Sequence, residues 1–231
     1  MKRKMIGRAV FLRHGETDYT DIFPDLTKAG KKTILRSADA IKTIAGSPLQ
    51  VSIASSPAVR AMGSAFIISG VLGFAEEAKQ IPLLGPVGLR DEIKAKSLFF
   101  EFVANGGMKG LCASYGTDPR CEDGLIVEPR SEVQKRFYKY LGMFARSLLA
   151  SDSENSFVVH VSHYEVLYHL VETVFWLDYE DDPPLGHGEI ILISFYDTGH
   201  EEWVEMDIIF RRKTAKQVIF NHKEEKIVAG P

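Results

Sequence analysis

The 231-residue sequence predicts one α/β domain, a three-layer α/β/α sandwich with a mainly parallel sheet. Three observations lead there. Short apolar runs end at turn residues and pass into longer segments of helical periodicity, and this happens three times in succession. With 45% hydrophobic residues and a formal charge of −3, the composition suits an ordinary globular core. No internal repeat, low-complexity tract or shift in composition marks a boundary, so residues 1–231 are expected to form a single domain.

The first run, Arg8 to Leu12, is short and apolar and stops at Arg13-His14, as a buried parallel strand does on reaching its loop. From Thr27 to Ala45, Ala29, Ile34, Leu35, Ala38, Ile41 and Ala45 recur at helical spacing, and Gly46-Ser47-Pro48 closes the segment. Val51 to Ala54 reads as a second strand. Ser55-Ser56-Pro57 follows as a helix start, leading into an apolar helix from Ala58 to Leu72. An irregular stretch with Pro82, Gly85, Pro86 and Gly88 precedes a helix from about Arg90 to Ala104, stopped by Asn105-Gly106-Gly107. Met108 to Glu128 is Gly-rich and weakly patterned, which predicts a long loop or short helical turns; residues 98–128 are expected to be a cap insertion over the site. A long helix from Ser131 to Ala150 leads through a polar linker to a third strand, Ser156 to Ser162, ending at His163. Tyr164 to Leu177 reads as an apolar helix, while Glu189 to Tyr196 and Glu202 to Ile209 read as strands. The charged tail from Arg211 is expected at the periphery.

Composition excludes several classes of function. The apolar runs fall well short of the roughly 20 residues needed to span a bilayer, and the basic N-terminus runs directly into Arg13-His14, making a poor signal peptide. No membrane association is expected. The slight acidic excess argues against general nucleic-acid binding. The two cysteines, Cys112 and Cys121, are too few for a disulfide scaffold or a four-thiolate zinc site, so a reducing cytoplasm is the expected compartment. Oligomeric state has no signal in the sequence.

The chemistry lies at strand ends. In open α/β sheets ligands bind beyond the carboxyl ends of parallel strands, and two strands here end in histidine, at Arg13-His14-Gly15-Glu16-Thr17 and at Val161-Ser162-His163. Neighbouring parallel strands would bring the two imidazoles to one ligand. A neutral imidazole can attack phosphorus and split one displacement into two. Phosphoryl transfer spreads charge over the equatorial oxygens and so needs fixed cations and donors; the planar forks of Arg13 and Arg60 suit a phosphate.

These segments resemble the histidine phosphatase superfamily, which includes the cofactor-dependent phosphoglycerate mutases. Arg13 to Thr17 is similar to its first histidine motif, Leu26-Thr27-Lys28-Ala29-Gly30 to its helix-opening segment, Ser55 to Ala61 to its second arginine motif, and Val161-Ser162-His163 to its second histidine motif. The four stand in the family's order between about residues 8 and 195. The resemblance implies a phosphoglycerate mutase-like fold and a phosphomonoester hydrolase acting without metal or organic cofactor through phosphorylated His14, on a small-molecule phosphate ester or phosphorylated metabolite. Arg13, Arg60, His163 and the Tyr164 amide would bind the phosphoryl group, and His163 would add a donor when protonated. A carboxylic acid protonates the leaving oxygen in the family, after a Leu in a segment resembling Leu89-Arg90-Asp91-Glu92; register favours Asp91 and residue type favours Glu92. A primed mutase-like phosphotransferase and a noncatalytic phospholigand-binding module are the competing readings.

The sequence also departs from the pattern. Thr20 stands where many members carry Asn, Tyr164 where Gly is common, and the Arg- and Tyr-containing segment that grips phosphoglycerate in glycolytic mutases is missing, which favours hydrolysis over mutase chemistry. Thr17 and Thr20 are candidate substrate contacts, although Glu16 and Thr17 read equally well as loop supports. His160 and His163 have the spacing of a metal pair but point apart on a strand end, so no metal site is expected and His160 reads as a core side chain. His187 sits on a loop before a strand, from which it could reach the pocket, but reads first as a solvent-exposed turn; Lys31-Lys32 and Arg211-Arg212-Lys213 read as solvated faces.

Overall fold

The computed structural model describes residues 3–18, 25–46, 50–74, 76–151, 156–177 and 184–229. In chain order the elements are β1 (Lys4–Arg13), α1 (Lys28–Ala45), β2 (Gln50–Ser55), α2 (Val59–Leu72), β3 (Lys79–Gln80), a 3-10 turn at Pro82–Leu84, α3 (Glu92–Ala104), α4 (Gly107–Thr117), α5 (Pro119–Glu122), α6 (Arg130–Leu149), β4 (Ser156–Ser162), α7 (Tyr164–Phe175), β5 (Ile190–Asp197), β6 (Trp203–Phe210), β7 (Lys213–Asn221) and β8 (Lys226–Ala229). The strands form one sheet in the order β3-β2-β4-β1-β5-β6-β7-β8.

The expectation of a mainly parallel sheet is corrected. β3, β2, β4 and β1 run parallel, and every pairing from β1–β5 onward is antiparallel. From β5 to β8 the reason is connection length: parallel neighbours need a crossover of a dozen or more residues, whereas short turns join these strands and short turns make hairpins. Burial follows the same division. β4 is buried almost without interruption, while β5 and β6 alternate buried with half-buried residues along their length. The charged tail is likewise not peripheral. It supplies β7 and β8, and Ala215, Val218 and Phe220 are core residues.

Alternation along β1 separates two cores. Ala9 and Phe11 join Phe137, Leu141, Leu167 and Val171 of α6 and α7, whereas Val10 and Leu12 join Ile34, Ala38, Ile41, Ala61, Ala65 and Ile68 of α1 and α2. In α1 the buried stripe is Gly30, Ile34, Ser37, Ala38, Ile41 and Ala45; Ala29 and Leu35, expected on that face, are exposed. Thr27 caps the helix, its hydroxyl accepting from the Gly30 amide.

The stretch read as loop contains the 11-residue helix α4 as well as the single turn α5. Glycines at 107, 110 and 116 weaken a helical pattern in sequence, and packing overrides them. Ala95, Leu98 and Phe102 of α3 close with Tyr115, Cys121 and Val127 into a small core of their own. Its two ends meet where Leu89 bridges Val127.

Candidate functional site

Parallel register brings the motifs together. Arg13 pairs with Ser162 across β1 and β4, and Ser55 pairs with Val161 across β2 and β4. One residue further on, the His14 amide donates to the Ser162 carbonyl at 3.0 Å and the Ser56 amide to the Val161 carbonyl at 2.9 Å. The residues that follow β1, β2 and β4 therefore emerge on one edge, with α7 starting directly after His163 and α2 carrying Arg60 in its first turn.

His14 is buried, and its ring centroid lies 5.0 Å from that of His163. Its Nδ1 is 2.7 Å from the Gly15 carbonyl, which can only accept, and its Nε2 is 3.1 Å from Arg60 Nε, which can only donate. Those two bonds define a neutral imidazole with the lone pair on Nε2. Burial first, then the neighbouring His163 and the Arg60 charge, hold the His14 imidazolium well below its ordinary range. The same guanidinium reaches His163, with Nη2 3.3 Å from Nδ1; Nδ1 therefore accepts, and the protonated Nε2 donates to Ser56 Oγ at 2.8 Å. His163 too is held neutral, by burial and then by Arg60. The one donor of the neutral ring is therefore given to Ser56, and a second donation, from Nδ1 to an anion, requires protonation.

Arg13 is 5% exposed; Nη1 donates to the Leu185 carbonyl at 2.7 Å, and its Nε has no hydrogen-bond partner among the described residues. A buried guanidinium with an open donor is poised for an anion. Tyr164 lies under it, with the guanidinium carbon 5.6 Å from the ring centroid, and stacks on Tyr168 at 5.0 Å. The Tyr164 ring is thus part of the floor beneath Arg13 and belongs to the α6–α7 core.

The loop after His14 is built by close backbone approach. A Cβ on Gly15 would come within 2.8 Å of the Gly30 carbonyl, and one on Gly30 within 2.2 Å of the Glu16 carbonyl, so this glycine pair serves the contact between loop and helix. Ser64 of α2 accepts from the Gly15 amide at 3.0 Å. Glu16 ties to Thr27 twice, through its carbonyl and its carboxylate, which supports the loop. Thr17 is buried, bridges Leu26, and leaves its hydroxyl without a partner among the described residues. Thr20 lies outside the described residues.

Asp91 and Glu92 have partners of their own. Asp91 caps α3, accepting from the Lys94 amide and pairing with its ammonium at 3.1 Å; Glu92 pairs with Lys96 at 2.7 Å. The Lys94 amide and ammonium hold the Asp91 carboxyl below the usual range, and Lys96 does the same for Glu92. Among the described residues no group of three or more His, Cys, Asp or Glu could hold a metal ion. His160 is fully buried and stacks on Phe11 at 4.2 Å, a core side chain.

The sequence reading missed two contributors and ranked a third low. His187, expected first on an exposed turn, is half-buried beside His14, with ring centroids 5.6 Å apart. Ser56, seen as part of a helix start and of the arginine motif but given no role, holds His163, and Ser64 holds the loop. A serine following a buried strand was the available signal for Ser56. Nothing in Gly186-His187-Gly188 shows which strand end it will face.

No protein-family model and no curated protein sequence matches the chain. Solved structures do. It is similar to a protein described as mycobacterial hydrolase 2, with 20% identity, a TM-score of 0.64 and 94% of each chain covered. It is similar to a mycobacterial glucosyl-3-phosphoglycerate phosphatase, with 20% identity, a TM-score of 0.61 and coverage of 89% of this chain and 98% of that one. A phosphoserine phosphatase mutant from Entamoeba histolytica, in complex with phosphoserine, is similar at 19% identity and a TM-score of 0.56, over 88% and 94% of the two chains. At such identities the likeness is one of fold.

Proposed function

We propose that the chain is a phosphomonoester hydrolase working through a phosphohistidine on His14. The observation that carries this reading is the His14 tautomer: a buried neutral imidazole presents its Nε2 lone pair beside His163 and Arg60. The fold supports it, being shared with a glucosyl-3-phosphoglycerate phosphatase solved with inorganic phosphate and a phosphoserine phosphatase solved with phosphoserine.

When an ester enters, its dianion takes over the donors that now rest on the imidazoles. Arg60 leaves the His14 lone pair for a phosphoryl oxygen, which both frees the nucleophile and fixes the group to be attacked. Arg13, through its open Nε, and His163, once the dianion favours its protonation, hold the other oxygens, and the amides at the start of α7, Tyr164 first, add anion contacts. His14 Nε2 bonds to phosphorus as the ester P–O bond breaks, and the leaving oxygen takes a proton. Water then attacks phosphorus, giving a proton to the carboxylate that served as acid, the N–P bond breaks back to His14, and inorganic phosphate departs.

The proton for the leaving oxygen is assigned to Asp91, with Glu92 beside it as the alternative. A general acid must hold its proton near working pH, so binding of the dianion has to draw the chosen carboxyl away from Lys94 or Lys96. Thr17 and Thr20 are assigned to the substrate side, and the substrate to small phosphate esters. Residues 98–128 are assigned as a cap within one domain. The separate small core that Leu98, Phe102, Tyr115, Cys121 and Val127 form supports reading this stretch as an insertion.

The test is phosphate release from a panel of phosphomonoesters in the presence of chelator. Wild type releases phosphate and His14→Ala does not; undiminished release by the folded variant overturns the mechanism.

A further inference from the structure

We propose that His187 is a third imidazole of the phosphoryl site, donating from Nε2 to an oxygen of the bound phosphate ester. This rests on the reading of the site given above and adds a binding residue to it. His14 stands between two imidazoles, with ring centroids 5.0 Å from His163 and 5.6 Å from His187. His163 already has partners on both nitrogens. His187 Nε2 is buried and has no partner among the described residues, which leaves it open to an oxygen of a ligand bound beside His14.

The loop carrying His187 is clamped from five directions. The Gly188 amide donates to the Arg13 carbonyl at 2.9 Å, and Arg13 Nη1 returns a bond to Leu185. The Gly186 amide donates to Glu189 Oε2 at 2.7 Å, Arg211 grips the same carboxylate with Nε 2.6 Å from Oε1, and Ser37 Oγ donates to the Gly188 carbonyl at 2.7 Å. Gly188 has φ +69°, and a Cβ there would meet Ser37 Oγ at 2.6 Å. So much fixed polar structure around a surface loop, two bonds of it to Arg13 itself, ties the position of His187 to the arginine next to the nucleophile. Without a ligand, burial and then the Arg13 charge hold His187 neutral, down to about 4. A phosphate dianion between the two acts in the opposite sense and favours the donor form.

Inorganic phosphate is the probe. Titrated into wild type, His187→Leu and His187→Gln, it should bind His187→Leu about tenfold more weakly, while the glutamine amide, a donor at similar reach, recovers most of the loss. With a hydrolysed ester the leucine variant raises KM by a similar factor. In wild type labelled with nitrogen-15, phosphate should shift the His187 Nε2 resonance. Phosphate affinity within twofold of wild type in a folded leucine variant overturns the proposal while leaving the hydrolase reading intact; so does an unmoved Nε2 resonance, whether or not the variants fold. Wild type that neither binds phosphate nor hydrolyses any ester overturns both.

Discussion

Arg60 bridges the two histidines with two different nitrogens of one planar group, and that geometry defines what a substitution would do. Lysine keeps the charge but offers a single point in place of the fork. Arg60→Lys should therefore lower kcat/KM by about 100-fold, ~3 kcal/mol of transition-state stabilisation, as for loss of one oriented donor. Steady-state kinetics with any hydrolysed ester reads this, and a loss under threefold would mean that charge alone suffices. The residue types at the site were legible in sequence, because Arg13, His14, Arg60 and His163 sit in motifs with a chemical rationale. The protonation of those residues was not legible, since neutrality comes from burial and mutual proximity.

At the scale of elements, the loop between β1 and α1 depends on two glycine contacts. Gly30→Ala would place a methyl group 2.2 Å from the Glu16 carbonyl, backbone against backbone with no flexible side chain to yield. The expected cost is about 1–3 kcal/mol of stability together with a loss of activity, because the displaced loop carries His14. Urea unfolding and turnover measured on one preparation check both; a variant as stable and active as wild type would show that the loop can shift freely. Helix and strand positions over the first half were readable from periodicity. α4 was not, because its glycines disguise a helix that only the small core around Phe102 and Tyr115 maintains.

For the whole molecule, several histidines are buried as neutral bases. Burial holds His160 down to about 3, and burial with Arg130 nearby does the same for His169. Between the unfolded value of 6.5 and about 3 the unfolded chain binds the extra proton, so stability is intact above 6.5 and falls as pH drops through that window. Each such histidine should cost about 1 kcal/mol per pH unit there. Urea midpoints should therefore fall between about pH 7 and about pH 5, and His160→Phe, which keeps an aromatic ring against Phe11, should show a shallower fall. An unchanged slope in that variant would mean that His160 is protonated in the folded chain.

The sequence by itself determined the α/β class, the strand ends that form the candidate site and the charged and imidazole residues Arg13, His14, Arg60 and His163, because each depends on local pattern and residue type. Tertiary structure alone decided the antiparallel half of the sheet, the burial of the charged tail and the arrival of His187 beside His14. Each of these depends on which distant segments become neighbours. β5 pairs with β1 across 177 or more residues, and that single pairing both turns the sheet antiparallel and delivers the loop of His187 to the rim.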